Sequence, residues 1–136
     1  MDDCEGSLHP DALSGLRLFN RGEYFEAHEA LETAWRAETG PIRELYRGIL
    51  QVGVVYLHIT RNNYDGAIKV YGRSLRWINP WPETCRGIQV GQLRRDAEAV
   101  MVQVRRLGRE GLASFDLSLL KPVIFKDDGL SEHLSG

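Results

Sequence analysis

Residues 41–60 read PIRELYRGILQVGVVYLHIT. Pro41 suits the first turn of a helix, where its missing N–H leaves nothing unpaired and its fixed φ is already helical. From Gly48 onward the stretch is apolar nearly all round, and such a helix is normally the central, most buried element of its fold. It is short for a bilayer span, and Gln51 and His58 interrupt it. The stretch therefore predicts a buried helix over about 41–60 at the centre of a helical protein.

The flanking sequence supports that reading. Tyr24, Ala27, Leu31, Ala34 and Trp35 give residues 23–38 the apolar surface of a second helix, which Gly40 terminates as a C-terminal cap. Leu13, Leu16 and Phe19 mark a shorter first helix over 10–19, with Gly22 as the breaker after it. After the turn RNNYDG, Asn63 or Asp65 caps a fourth helix that extends to about residue 78. The two prolines of NPWPETCRG then forbid continuous helix. Leu93, Ala97, Val100, Val104 and Leu107 line one side of a fifth, strongly charged helix over 87–107. No stretch alternates like a half-buried strand. The expectation is a compact all-α bundle of about five helices, with helix three central and helices two to four forming two linked antiparallel hairpins. One domain spans 1–136, with its core at about 10–107, a partly irregular segment at 108–136 and FKDDGLSEHLSG as a frayed tail.

Composition narrows the function. The 136 residues are 43% hydrophobic and 26% charged, ordinary for a soluble globular protein, and the net charge of −2 argues against a nucleic-acid coat. The arginines of helix five (Arg94, Arg95, Arg105, Arg106 and Arg109) are interspersed with Asp96, Glu98 and Glu110, the pattern of a solvated face, so no nucleic-acid partner is expected. Cys4 and Cys85 are too few and too far apart for a disulfide framework, and neither belongs to a CxxC metal pair. The N-terminal MDDCEGSLHP lacks the apolar centre of a signal peptide. A soluble, cytoplasmic protein with no membrane association is expected.

The chain also repeats itself at a spacing of 40: Arg21 with Arg61, Tyr24 with Tyr64, Ala27 with Ala67 and Arg36 with Arg76. Both copies open a helix with Y-x-x-A after a turn, a layout that resembles tetratricopeptide-type hairpins. Two copies exclude a long solenoid.

Within helix two, YFEAHEALETAW (24–35) carries Glu26, His28, Glu29 and Glu32 among its apolar residues. At about 100° per residue, Phe25, His28, Glu29, Glu32 and Arg36 share one face. HEALE is one residue type away from a His-Glu-x-x-His zinc motif, so His28 and Glu32 could hold a divalent metal with Glu29 as base, although no sequence-near third ligand exists. The short ETGP connection makes helices two and three antiparallel neighbours. That places Arg43 and Arg47 beside Glu32 and Arg36, Gln51 near His28 or Glu29, and His58 near residues 23–25. Three readings follow: a buried network in which Arg43 or Arg47 pairs with Glu32 or Glu29, a metal or acid–base site, and a small-ligand pocket.

FNRGEYFEAHEALETAW (19–35), GPIRELYRGILQVGVVYLH (40–58) and NNYDGAIKVY (62–71) together resemble domain-of-unknown-function family 309, small prokaryotic proteins with relatives in plastid-bearing organisms. The resemblance covers about residues 12–107 and includes the NPWPETCRGI turn. It rests on Phe19, Gly22, Phe25, Glu26, His28, Glu29, Leu31, Glu32, Trp35, Gly48, Gln51, His58, Gly66 and Ala67. It implies a compact all-helical bundle and carries no reaction, cofactor or catalytic residue with it. The functional expectation is a non-enzymatic interaction or scaffold domain, with a protein partner or a second copy beside the HEALE stripe. The alternative is a metal-dependent or acid–base enzyme using His28, Glu29, Glu32, Gln51 and His58.

Overall fold

The computed structural model describes residues 2–126. Among them the chain forms five α-helices: α1 (Pro10–Asn20), α2 (Tyr24–Ala37), α3 (Ile42–Thr60), α4 (Tyr64–Ile78) and α5 (Val90–Gly111). The all-α bundle expected from the pattern is what the chain builds, with helix ends within a few residues of those read from caps and breakers.

The chain turns sharply between successive helices. Gly22 (φ 80°) and Asn62 (φ 57°) take the left-handed conformation between α1 and α2 and between α3 and α4, at the same spacing of 40 as the sequence repeat. Tyr24 and Tyr64 each open the following helix, and Ala27 and Ala67 are both buried beneath it. The repeat is therefore one of turn geometry as well as residue type. Asn63 caps α4 by accepting from the Gly66 N–H at 3.0 Å. His9 Nδ1 caps α1 by accepting from the Asp11 N–H at 3.0 Å.

α3 lies between α2 and α4 and buries Leu45, Tyr46, Ile49, Val52, Val55 and Tyr56. Gly48 lets α4 come close: a Cβ there would lie 2.7 Å from Ile78 Cδ1 and 3.2 Å from the Trp77 carbonyl carbon. Tyr56 packs against Phe19 and Tyr24 at ring-centre distances of 5.6 and 5.7 Å. Burial pushes its phenol well above the ordinary value, so it stays a neutral hydroxyl. α5 is tied by its arginines to α4 and to the segment that follows it. Arg94 donates to the Trp81 carbonyl at 2.9 Å, Arg95 pairs with Glu83 at 2.6 Å and Arg109 pairs with Asp65 at 2.7 Å.

Two features depart from the sequence reading. The NPWPETCRG segment contains a small antiparallel hairpin, β1 (Thr84–Cys85) and β2 (Ile88–Gln89), too short to show alternation. Its two-residue loop, Arg86 (φ 47°) and Gly87 (φ 82°), has the twist that closes a tight hairpin. That hairpin also brings Cys85 to Cys4, and the two form a disulfide with Cα atoms 4.4 Å apart. Distance along the chain argued against a disulfide framework; the fold makes this pair neighbours. Arg86 fastens the same strap, donating to the carbonyls of Asp3 and Ser7 at 2.6 and 2.9 Å and to the Asp3 carboxylate at 2.9 Å. The Asp3 carboxylate in turn accepts from the Ile42 N–H and so caps α3.

Beyond Leu107 the helix breaks at Gly108 (φ 69°), and 3₁₀ turns follow at Leu112–Ser114 and Leu117–Leu119. Leu112, Phe115 and Val123 return to the core, and Asn20 bonds both the N–H and the carbonyl of Val123, at 2.7 and 2.9 Å. Most of the expected frayed tail, residues 127–136, lies outside the described residues. No helix among the described residues is long and apolar enough to cross a membrane.

Candidate interaction face

Contacts of Trp35 set how α2 and α3 face each other. Its indole donates to Glu44 at 3.3 Å, and its carbonyl accepts from Arg43 Nε at 3.2 Å. The Arg43 and Arg47 guanidiniums stand 4.6 and 5.2 Å from the indole centre. Arg47 also stacks on Trp77 of α4 at 4.2 Å, and Arg76 lies 4.9 Å from the same ring. Trp35, Arg47, Trp77 and Arg76 thus alternate as a ladder across three helices, each contact contributing about 0.5–1 kcal/mol where partly exposed. Beside the ladder, Pro41, Glu44, Arg76, Trp77, Pro80 and Trp81 line an open cleft of about 260 Å³.

At the opposite end α3 meets the start of α4. His58 Nδ1 lies 3.1 Å from the Asn63 side-chain amide, and a Cβ on Gly66 would come within 2.8 Å of the imidazole. Burial first, and then the nearby Arg61 charge, hold this histidine below its ordinary pKa. The neutral ring accepts from Asn63.

From these anchors the helical period places the remaining side chains. α2 contributes Phe25, His28, Glu29, Glu32 and Arg36 to the same side as Trp35. α3 contributes Arg43, Arg47, Gln51, Val54 and His58, with Leu50 and Leu57 along one edge. α4 contributes Gly66, Val70, Arg73 and Trp77. Val54, Leu50, Leu57 and Val70 are each only partly buried, so the middle of this face is an apolar strip open to solvent. The candidates read from the sequence share this face except Glu26, which lies about 160° round α2 from His28 and is exposed.

Sharing a face does not bring the charged groups into contact. Glu29 is exposed. Glu32 pairs with Arg36 one turn on, at 3.6 Å with its side chain 36% exposed, and Arg47 pairs with Glu44 at 3.5 Å. On this face the ion pairs run along helices rather than between them, which corrects the expected pairing of Arg43 or Arg47 with Glu29 or Glu32. The reason is Trp35, whose indole occupies the guanidinium faces that the carboxylates were expected to reach. His28 stacks on Phe25 at 6.5 Å, and His58 packs on Asn63 and Gly66. Gln51 Oε1 is buried and meets no donor among the described residues. Nor do three or more His, Cys, Asp or Glu side chains among them come together to hold a metal ion, so His28 and Glu32 lack further ligands.

The ladder is what residue patterning missed. In the pattern Trp35 is only one residue of an apolar helix surface, and of the tryptophans only Trp81 is buried. The available signal was Trp35 followed across a short turn by Arg43 and Arg47, in a chain with many arginines.

Comparison with known proteins finds a likeness over most of this face: residues 12–70 match the model of a domain of unknown function, DUF309. Residues 12–70 are thus similar to a DUF309 domain. The DUF309 match takes in α2, α3 and the first half of α4; Arg73, Arg76 and Trp77 follow it, as does the NPWPETCRGI turn that the sequence resemblance also covered. The chain is also similar to a protein of Aquifex aeolicus (strain VF5) described as uncharacterized, at 27% identity over 84 residues. That alignment covers 61% of this chain and 25% of the relative, so the chain spans about a quarter of the relative's length.

Proposed function

We propose that this chain is a single, non-enzymatic interaction domain that binds a protein partner through the face built by α2, α3 and α4. The observation that carries the reading is the tryptophan–arginine ladder bordering an apolar strip open to solvent. Trp and Arg dominate the energetics of protein interfaces, because a planar ring or guanidinium buries much area with few rotatable bonds. Leu50, Val54, Leu57 and Val70 supply the apolar centre such an interface needs. The acid–base or metal alternative at His28, Glu29, Glu32, Gln51 and His58 has less support. Its carboxylates stand toward solvent and are not hydrogen-bonded to its histidines.

Arg94, Arg95, Arg105 and Arg109 of α5 are engaged with Trp81, Glu83, Tyr71 and Asp65, which supports a reading without nucleic acid. A cytoplasmic location belongs to the same proposal, yet a cytosol keeps most thiols reduced. Thiol titration of freshly isolated, denatured protein tests it: two free thiols support the cytoplasm, and none supports an oxidising compartment.

A photo-crosslinking residue placed at Val54, with one at the exposed Val102 of α5 as control, tests the face in the source cell. Discrete protein adducts at position 54 and not at 102 are expected. An absence of adducts at 54 overturns the proposal.

A further inference from the structure

We infer that the partner is a second copy of this chain, docked face to face about a two-fold axis that runs along α3. This rests on the interaction reading above and adds the identity and geometry of the occupant. The α2 rim carries Glu29 and Glu32; the α4 rim carries Lys69 and Arg73, both exposed. Glu29, Lys69 and Arg73 form no ion pair among the described residues, so their charges are open to a partner.

Height along the bundle matches as well. Lys69 stands 40 residues after Glu29, the spacing of the structural repeat, so the two occupy equivalent levels of α2 and α4. A two-fold axis along α3 exchanges the two rims and leaves height unchanged. Glu29 of each copy then meets Lys69 of the other, and the match is made twice. Arg36 and Arg76, which the same spacing brings level, are already engaged with Glu32 and Trp77. An axis across α3 would instead lay α4 on α4 and oppose Lys69 with Arg73. Charge therefore selects the axis.

The groups nearest the axis suit the same arrangement. Val54 lies there, with Leu50, Leu57 and Val70 around it. Arg47 is taken up by Trp35, Trp77 and Glu44, so it presents little free charge to its symmetry mate. Three helices about 9 Å apart and about 20–28 Å long give a face of roughly 600–800 Å² per copy, within the range of stable protein interfaces.

Sedimentation equilibrium of the purified protein tests the inference, with circular dichroism confirming that each surface variant folds. Wild type is expected to sediment with twice the chain mass at micromolar concentration. Glu29→Lys with Glu32→Lys, and separately Lys69→Glu with Arg73→Glu, should each weaken association at least tenfold. Mixing the two variants should restore a dimer, because every rim contact is again between opposite charges. A monomeric wild type overturns the inference, as does a dimer indifferent to both variants or a mixture that stays monomeric. A monomer whose Val54 crosslinks to a different protein removes the second copy but keeps the interaction face. Loss of both results removes both readings.

Discussion

Replacing Cys4 with serine opens a covalent link between residues 81 apart in sequence. In the chain-entropy account a closed loop of that length restricts the unfolded ensemble by about 4.5 kcal/mol at 25 °C. The folded state should survive the change, since Arg86 still holds Asp3 and Ser7 by hydrogen bonds and Cys85 stays in the core as a free thiol. Unfolding a chain of 136 residues carries about 2.1 cal/mol/K per residue, so the loss corresponds to a fall in Tm of about 15 °C. Thermal melts followed by circular dichroism, on wild type with and without reductant and on Cys4→Ser, measure it. The variant and the reduced wild type should melt together, and reductant should not lower the variant further. A shift below about 3 °C would refute the reasoning, because the link would then restrict nothing that the unfolded chain explores.

Gly48→Ala should destabilise by about 1–3 kcal/mol in denaturant titrations, because the added methyl meets Ile78 and the Trp77 backbone and pushes α4 from α3. Glu29→Ala and Glu32→Ala should each change stability by less than about 1 kcal/mol, the scale of solvent-exposed pairs. A loss of about 3–5 kcal/mol in either would restore the buried-network reading. His58 has a folded pKa below its unfolded value, so its contribution is complete above the unfolded value near 6.5 and is lost as pH falls through the folded one. Proton NMR should place its midpoint below 6.5, and His58→Gln should flatten the stability–pH slope there; a midpoint above 6.5 contradicts the assignment.

Helix positions were legible because local rules agreed with one another. Gly22, Pro41 and Asn63 punctuate the chain where caps and turns require them, and the apolar run after Gly48 marked α3 as central. By contrast, α2 ends at Glu38 in extended backbone rather than at a Gly40 cap. Which residues share the α2–α3–α4 face was also legible, since helical period and a short connection determine it. What those side chains touch was not. Trp35 took the guanidiniums that pattern reasoning gave to Glu29 and Glu32, because two cations stacked on one indole leave no periodic trace in sequence. The Cys4–Cys85 bond was hidden for a different reason: it depends on a two-residue hairpin at Arg86 and Gly87, and so on tertiary proximity rather than spacing. His9 as the cap of α1 went unread because histidine is not among the usual capping residues.

The claim that the α2–α3–α4 face is covered by a partner is tested most directly by hydroxyl-radical footprinting in the source cell, against dilute purified protein. Phe25 and Leu57 lie on that face, whereas Val102 and Ile124 are exposed elsewhere. Several-fold slower oxidation of Phe25, Leu57, Trp35 and Trp77 in the cell, with Val102 and Ile124 unchanged, is the predicted result. Equal rates at all six positions in the two settings would contradict it.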